Sequence, residues 1–341
     1  MNKYILTAAA VFYTVLAHSQ TKPANLTDSV KNYLDSSFSI IEKNALNRSK
    51  IDWPALRKYV YEKADHAKTY EDILPLYPYI FEQLDDHHGR LIFKNKSYYW
   101  KGNDPFVKNK VISDAVQKYT EPRSEIINKN IGYILIPGNN DFQSKHIDSI
   151  TTLIKKAIAK VSSKNIKGWI IDLRTNTGGN MYPMIAGLSK LIGEGKAGSF
   201  VSFDSQPTGQ WSIRNSSLYF GTTKVTEIAD QGYAVPAHIP LVVLTGNYTA
   251  SSGEMTAIST IGRKRSVIIG EPSGGYTTVN NGFPLNSYSG LNLAVEFAAD
   301  RNNHVYPKKV TPDILVTGGD NFEDLSQDRK IQQAILWLKK N

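Results

Sequence analysis

From Ile131 onward the chain alternates short apolar, β-rich runs with amphipathic helical ones, and that alternation constrains the fold more than any other feature. A chain repeating strand, turn and helix buries its strands under helices, which predicts a layered α/β domain with some parallel strands. The strands fall at Ile131–Ile136, Gly168–Leu173, Pro240–Thr245, Ser266–Gly270 and Leu291–Phe297. Helices fit His146–Val161, Met181–Ile192, Ser252–Gly262 and Asp328–Lys340. The Ser/Gly-rich passage from Gly198 to Gly221 reads as a long connection, and connections of that length are commonly functional.

Ahead of this core, residues 20–89 read as a small helical subdomain. Leu26, Val30, Tyr33 and Leu34 recur at helical spacing, and Asp52-Trp53-Pro54 supplies an N-cap followed by proline. Residues 90–130 are polar, aromatic and Lys-rich with weak periodicity, and read as an irregular or β-hairpin-like connection before the core at 131–341. The first 19 residues carry Lys3, an apolar stretch from Tyr4 to Leu16 and the small-x-small sequence Ala17-His18-Ser19. This is the pattern of a secretory signal peptide, and the apolar stretch falls short of the roughly 20 residues that span a bilayer. The expectation is an exported protein, periplasmic or extracellular, with no membrane span once the signal is removed.

Among 341 residues there is no cysteine, so disulfides, Cys-ligated zinc and a thiol nucleophile are excluded. Any nucleophilic chemistry must come from Ser, Thr, Lys or a carboxylate. The net charge of +9 is spread along the chain, with no long basic block, so nucleic acid is not an expected partner.

Three segments could carry chemistry. The first runs from Leu241 to Met255 through Thr249-Ala250-Ser251-Ser252-Gly253-Glu254, a buried strand, a small-residue turn and a helix start. A serine there has an exposed hydroxyl, and the N–H groups after it face an incoming oxyanion, although Ser or Thr at such a place is also an ordinary N-cap. The second, Ile171-Asp172-Leu173-Arg174-Thr175-Asn176-Thr177-Gly178-Gly179-Asn180, has glycines that can present bare N–H groups to a negative oxygen. It lacks the GxxxxGK[ST] pattern of a phosphate loop. The third is Asp85-Asp86-His87-His88-Gly89 at a helix end. Neighbouring histidines rarely point at one ion and nothing distant completes a site, so a general base is the better reading and no metal or other cofactor is expected.

Taken in order, with Gly270-Glu271-Pro272-Ser273-Gly274-Gly275 and Val310-Thr311-Pro312-Asp313, these blocks resemble the S41 family of serine peptidases, the C-terminal-processing proteases and their tricorn-type relatives. The resemblance implies a crotonase/ClpP-like core and peptide hydrolysis through an acyl-enzyme. It places the nucleophile at Ser251 and oxyanion donors at Ser252 and at Gly178 or Gly179. It also implies Thr177 where many members have glycine, and Tyr276 where the Lys-dependent branch has its base. His88 falls on the base position of the tricorn-like branch. The acid that orients such a histidine would be a Glu at the place of Tyr306; Asp300 is the expected substitute, with Glu296 behind it. Residues 90–130 are too few for the PDZ domain many relatives insert, so the expected substrates are short or unfolded peptides lying along an exposed edge of the core. The missing lysine and Glu also admit a protein of this fold that binds peptide or a hydrophobic ligand without turnover. Oligomeric state is not legible.

Overall fold

The computed structural model describes residues 26–103, 107–229 and 234–341. The expected signal segment, 1–19, lies outside them. The first described residues form helices α1 (Leu26–Asn44), α2 (Trp53–Ala64), α3 (Tyr70–Ile73) and α4 (Tyr77–Gln83). Asp52 caps α2 by accepting the Ala55 N–H at 3.0 Å, with Pro54 in the first turn where a missing N–H costs nothing. Residues 90–130 are more regular than a connection. They hold the hairpin β1 (Arg90–Phe93) and β2 (Lys96–Tyr98), helix α5 (Lys110–Lys118) and strand β3 (Arg123–Ile127).

The core follows with β4 (Ile131–Leu135), α6 (Ile147–Val161), β5 (Gly168–Asp172), α7 (Met181–Gly187) and α8 (Ser189–Ile192). Then come β6 (Gly195–Val201), β7 (Pro207–Arg214), β8 (Ser217–Phe220) and β9 (Thr223–Lys224), so the passage expected as a long connection is a run of antiparallel hairpins. The rest is β10 (Leu241–Thr245), α9 (Ser252–Ile258), β11 (Ser266–Gly270), β12 (Thr278–Asn286), β13 (Ser289–Asp300), β14 (Val305–Tyr306), β15 (Ile314–Leu315) and α10 (Arg329–Leu338).

Two sheets organise these elements into an α/β fold. One has the order β15-β11-β10-β5-β4-β3, parallel except for β3 at its edge. Its inner strands β4, β5 and β10 are buried on both faces, as parallel strands covered by helices must be. Ile134, Ile171, Val243 and Ile268 pack toward α6, α7 and α9. Their neighbours Tyr133, Ile170, Val242 and Ile269 pack toward α5 and α10. The second sheet is antiparallel, β2-β1-β13-β6-β7-β8-β9, with β12 and β14 also on β13. Long β13 therefore joins the hairpins of the core to β1, and its Leu291 and Leu293 complete the apolar interior of the helical subdomain. No helix among the described residues is long and apolar enough to cross a membrane.

Candidate active site

Strands β5 and β10 are parallel neighbours in register from Trp169↔Leu241 to Asp172↔Leu244, so the turns that follow them emerge side by side. Crevices at the carboxyl ends of such strands are the usual place for a site in α/β proteins. Main-chain and hydroxyl bonds lock the two turns together. Thr249 Oγ1 donates to Leu173 O at 2.8 Å and the Ala250 N–H to Asn176 O at 2.9 Å.

Ser251 sits at the end of the second turn with φ 52° and ψ −116°. A non-glycine residue held there is strained, and such strain collects at functional turns. The carboxylate of buried Glu254 accepts the Ser251 N–H at 2.8 Å, the Gly275 N–H at 2.9 Å, the Tyr276 N–H at 2.8 Å and the Ser273 hydroxyl. Burial pushes the Glu254 carboxyl up to about 7, and the four donors act the other way by favouring its charge.

The glycine turn faces the serine. A Cβ on Gly178 would lie 3.0 Å from Ser251 Cβ and 3.6 Å from its Oγ. Gly179, at φ 119°, leaves no room for a side chain, because a Cβ would come within 1.9 Å of Asn139 O. The Gly178 N–H is taken by Asn176 Oδ1 at 3.1 Å, whereas those of Gly179 and Ser252 have no partner among the described residues. Ser252 Oγ donates to Gly179 O and fixes the two against each other. Gly179 and Ser252 are thus the pair open to a negative oxygen, and Thr177 is exposed outside the turn without disturbing it.

His88 enters from the turn after α4. Asp86, buried, accepts the N–H groups of His88 (3.1 Å), Gly89 (2.6 Å) and Ala294 on β13 (3.1 Å), which sets the turn against the core. Among the described residues no group of three or more His, Asp or Glu could hold a metal. His88 Nδ1 meets Thr278 Oγ1 at 2.9 Å, and its ring lies edge-on to Tyr276 with centroids 5.2 Å apart. His87 Nε2 donates to Gly275 O at 2.7 Å. Burial, with the charges of Arg90 and His87 adding to it, pushes the His88 imidazole down to about 3, so it is neutral over the working pH range. No hydrogen bond joins Ser251 to His88 among the described residues; the two are linked through Glu254, Tyr276 and Thr278.

The sequence matches the profile of peptidase family S41 over residues 130–316. The chain belongs to that family. It is 26% identical over 319 residues to the nisin-resistance protein of Lactococcus lactis subsp. lactis, covering 91% of this chain and 87% of that one. To the carboxy-terminal-processing protease of Bartonella bacilliformis it is 25% identical over 217 residues, which span 63% of this chain and less than half, 45%, of that relative. Two solved structures share the fold. A lipoprotein from Streptococcus agalactiae has TM-score 0.67 at 21% identity, with 95% of this chain and 99% of that chain covered. The photosystem II D1 C-terminal processing protease has TM-score 0.54 at 16% identity, with 88% and 95% covered.

In this S41 chain one expected group is elsewhere engaged. Asp300 does not reach His88, because it ends β13 and its carboxylate satisfies the orphan donors of the following turn. It accepts the N–H of Asn302 (2.8 Å) and His304 (3.1 Å) and the Tyr306 hydroxyl (3.0 Å). Glu296, the second choice, makes no hydrogen bond to His88 and stands near Tyr182. The partner of the imidazole is the neutral hydroxyl of Thr278. Sequence reasoning passed over it because Thr278 lies 190 positions from His88, and a threonine opening a strand carries no signal beyond β propensity.

Proposed function

We propose that this protein is an exported serine-type peptidase that cleaves peptide bonds through an acyl-enzyme on Ser251, with His88 as general base. The observation that carries the reading is the strained Ser251 at the mouth of two parallel strands, between the open N–H groups of Gly179 and Ser252. With Nδ1 engaged by Thr278, Nε2 is the nitrogen left to act as base, which requires the tautomer with its hydrogen on Nδ1 and Thr278 Oγ1 accepting. As Ser251 Oγ attacks the carbonyl carbon, its proton passes to Nε2 and the carbonyl oxygen becomes an oxyanion held by Gly179 and Ser252. Collapse breaks the C–N bond and Nε2 returns the proton to the leaving amine. Water, deprotonated by the same nitrogen, then frees the acyl group. A hydroxyl on Nδ1 orients the ring but stabilises an imidazolium less than a carboxylate would. Short or unfolded peptides are the fitting substrates, since no PDZ-sized unit stands between β2 and β3.

A fluorophosphonate probe tests this directly. Protein recovered from outside the cytoplasm should begin at Gln20 and be labelled, and labelling should vanish in Ser251→Ala and His88→Ala. Labelling that persists in Ser251→Ala overturns the nucleophile. A wild type that resists the probe yet binds peptide supports instead a non-hydrolytic binding protein, the reading favoured by the missing Ser251–His88 bond.

A further inference from the structure

We propose that Tyr276 is a positioning residue for His88, its ring holding the imidazole against Thr278 and covering one flank of it, while Glu254 keeps that ring in register with Ser251. The inference rests on the Ser251–His88 reading above and adds to it a residue with no assigned role. Tyr276 is a large, half-buried aromatic that belongs to none of the three apolar clusters of the fold. Its ring packs on two imidazoles, edge-on to His87 at 4.9 Å and 65° and to His88 at 5.2 Å and 74°. Core packing therefore does not account for it.

Residues 274–278 carry the ring contacts of His88, since Tyr276 flanks the imidazole and Thr278 holds its Nδ1. That same segment is pinned to the nucleophile. Glu254 Oε2 accepts from both the Ser251 N–H and the Tyr276 N–H, each at 2.8 Å, so one oxygen fixes the serine turn and the tyrosine backbone together. From the other side His87 holds Gly275 O. A cavity of about 590 Å³ has His87, His88, Tyr276 and Thr278 in its wall but not Ser251. Removing the tyrosine ring would widen this space beside the imidazole, which already borders it, and expose more of the imidazole to water. The charged and titratable groups around His88 are His87, Arg90 and Asp86 on its own segment, and Tyr276 with Glu254 behind it on the facing one.

The test follows the ring nitrogens of His88 by long-range 1H–15N spectra against pH, with the signals assigned through His88→Ala, alongside the rate of fluorophosphonate labelling. In the wild type and in Tyr276→Phe, His88 should stay neutral at pH 5. In Tyr276→Ala its titration should move up toward the ordinary histidine value by at least about one pH unit, as fuller hydration of a half-buried imidazole requires. Labelling should slow by about tenfold, the scale of one lost orienting contact, and Tyr276→Phe should restore it. A folded Tyr276→Ala protein that titrates and labels like the wild type overturns the proposal, even if it melts earlier. If Tyr276→Ala does not fold, Tyr276→Leu replaces the ring by bulk alone and is read in the same way. A wild type that never labels overturns the serine reading, and the titration of His88 still decides the role of Tyr276.

Discussion

The backbone of Ser251 is the most informative single residue in the molecule. Holding a side chain at φ 52°, ψ −116° costs on the order of 1–3 kcal/mol, which folding alone would not retain. Ser251→Gly should therefore raise stability by about 1 kcal/mol in urea unfolding while abolishing labelling, since glycine relieves the strain and removes the proposed nucleophile together. A loss of stability in that variant would mean the turn is unstrained. Ser251 and His88, the proposed nucleophile and base, stand out in the sequence because each sits in a short ordered block. Thr278 and Tyr276 do not, because their importance lies in contacts made across 188 to 190 positions, as the His87–Gly275 and His88–Thr278 bonds show.

At the level of elements, the site is two strand–turn–helix units docked edge to edge, and the glycine turn of the first is as tightly specified as the serine of the second. Gly179→Ala would drive a methyl group to 1.9 Å from Asn139 O at a φ of 119°. We expect a loss of more than about 3 kcal/mol by chemical denaturation, with labelling abolished because the Gly179 N–H can no longer face the oxyanion. The buried strands β4, β5, β10 and β11 were readable within a residue at either end, because continuous apolar runs bounded by turns have few other uses. Hairpins β6–β9 were not. Their Ser, Gly and Gln residues resemble those of a loop, and they pair only because β13 offers β6 an edge. Helix α5 hid in a Lys-rich stretch, where Ile112 and Ala115 are its buried positions.

Across the whole molecule, buried Glu254 and half-buried His88 pull stability in opposite directions with pH. His88 titrates near 3 in the folded protein against 6.5 ordinarily, so the unfolded chain binds the extra proton and stability is lost as pH falls below about 6.5. Glu254 titrates near 7 against 4.5, so the folded protein binds the extra proton and stability is lost as pH rises through 4.5 to 7. Between those limits the two contributions cancel. Unfolding free energy measured by denaturant titration should vary little from about pH 4.5 to 6.5 in the wild type, and in His88→Ala should fall steadily as pH rises over that window. A flat profile in His88→Ala would show that Glu254 is ionised throughout. Elsewhere the charges are spent structurally: Arg174, wholly buried, pairs with Asp172 (2.6 Å), Asp320 (2.8 Å) and Asp328 (2.6 Å), clasping α10 to the end of β5.

The course of β13 has one more consequence. It pairs with β1 on the His88 side and with β6 in the core, and the helical subdomain borrows Leu291 and Leu293 from it for its interior. Ser251 and His88, the proposed pair, thus reside on separate pieces of chain that β13 joins, together with the bonds from His87 to Gly275 and from His88 to Thr278. A single peptide-bond cut between β2 and α5 would yield two bands on a denaturing gel and one particle in solution, because the smaller piece has no complete interior until it finds the larger.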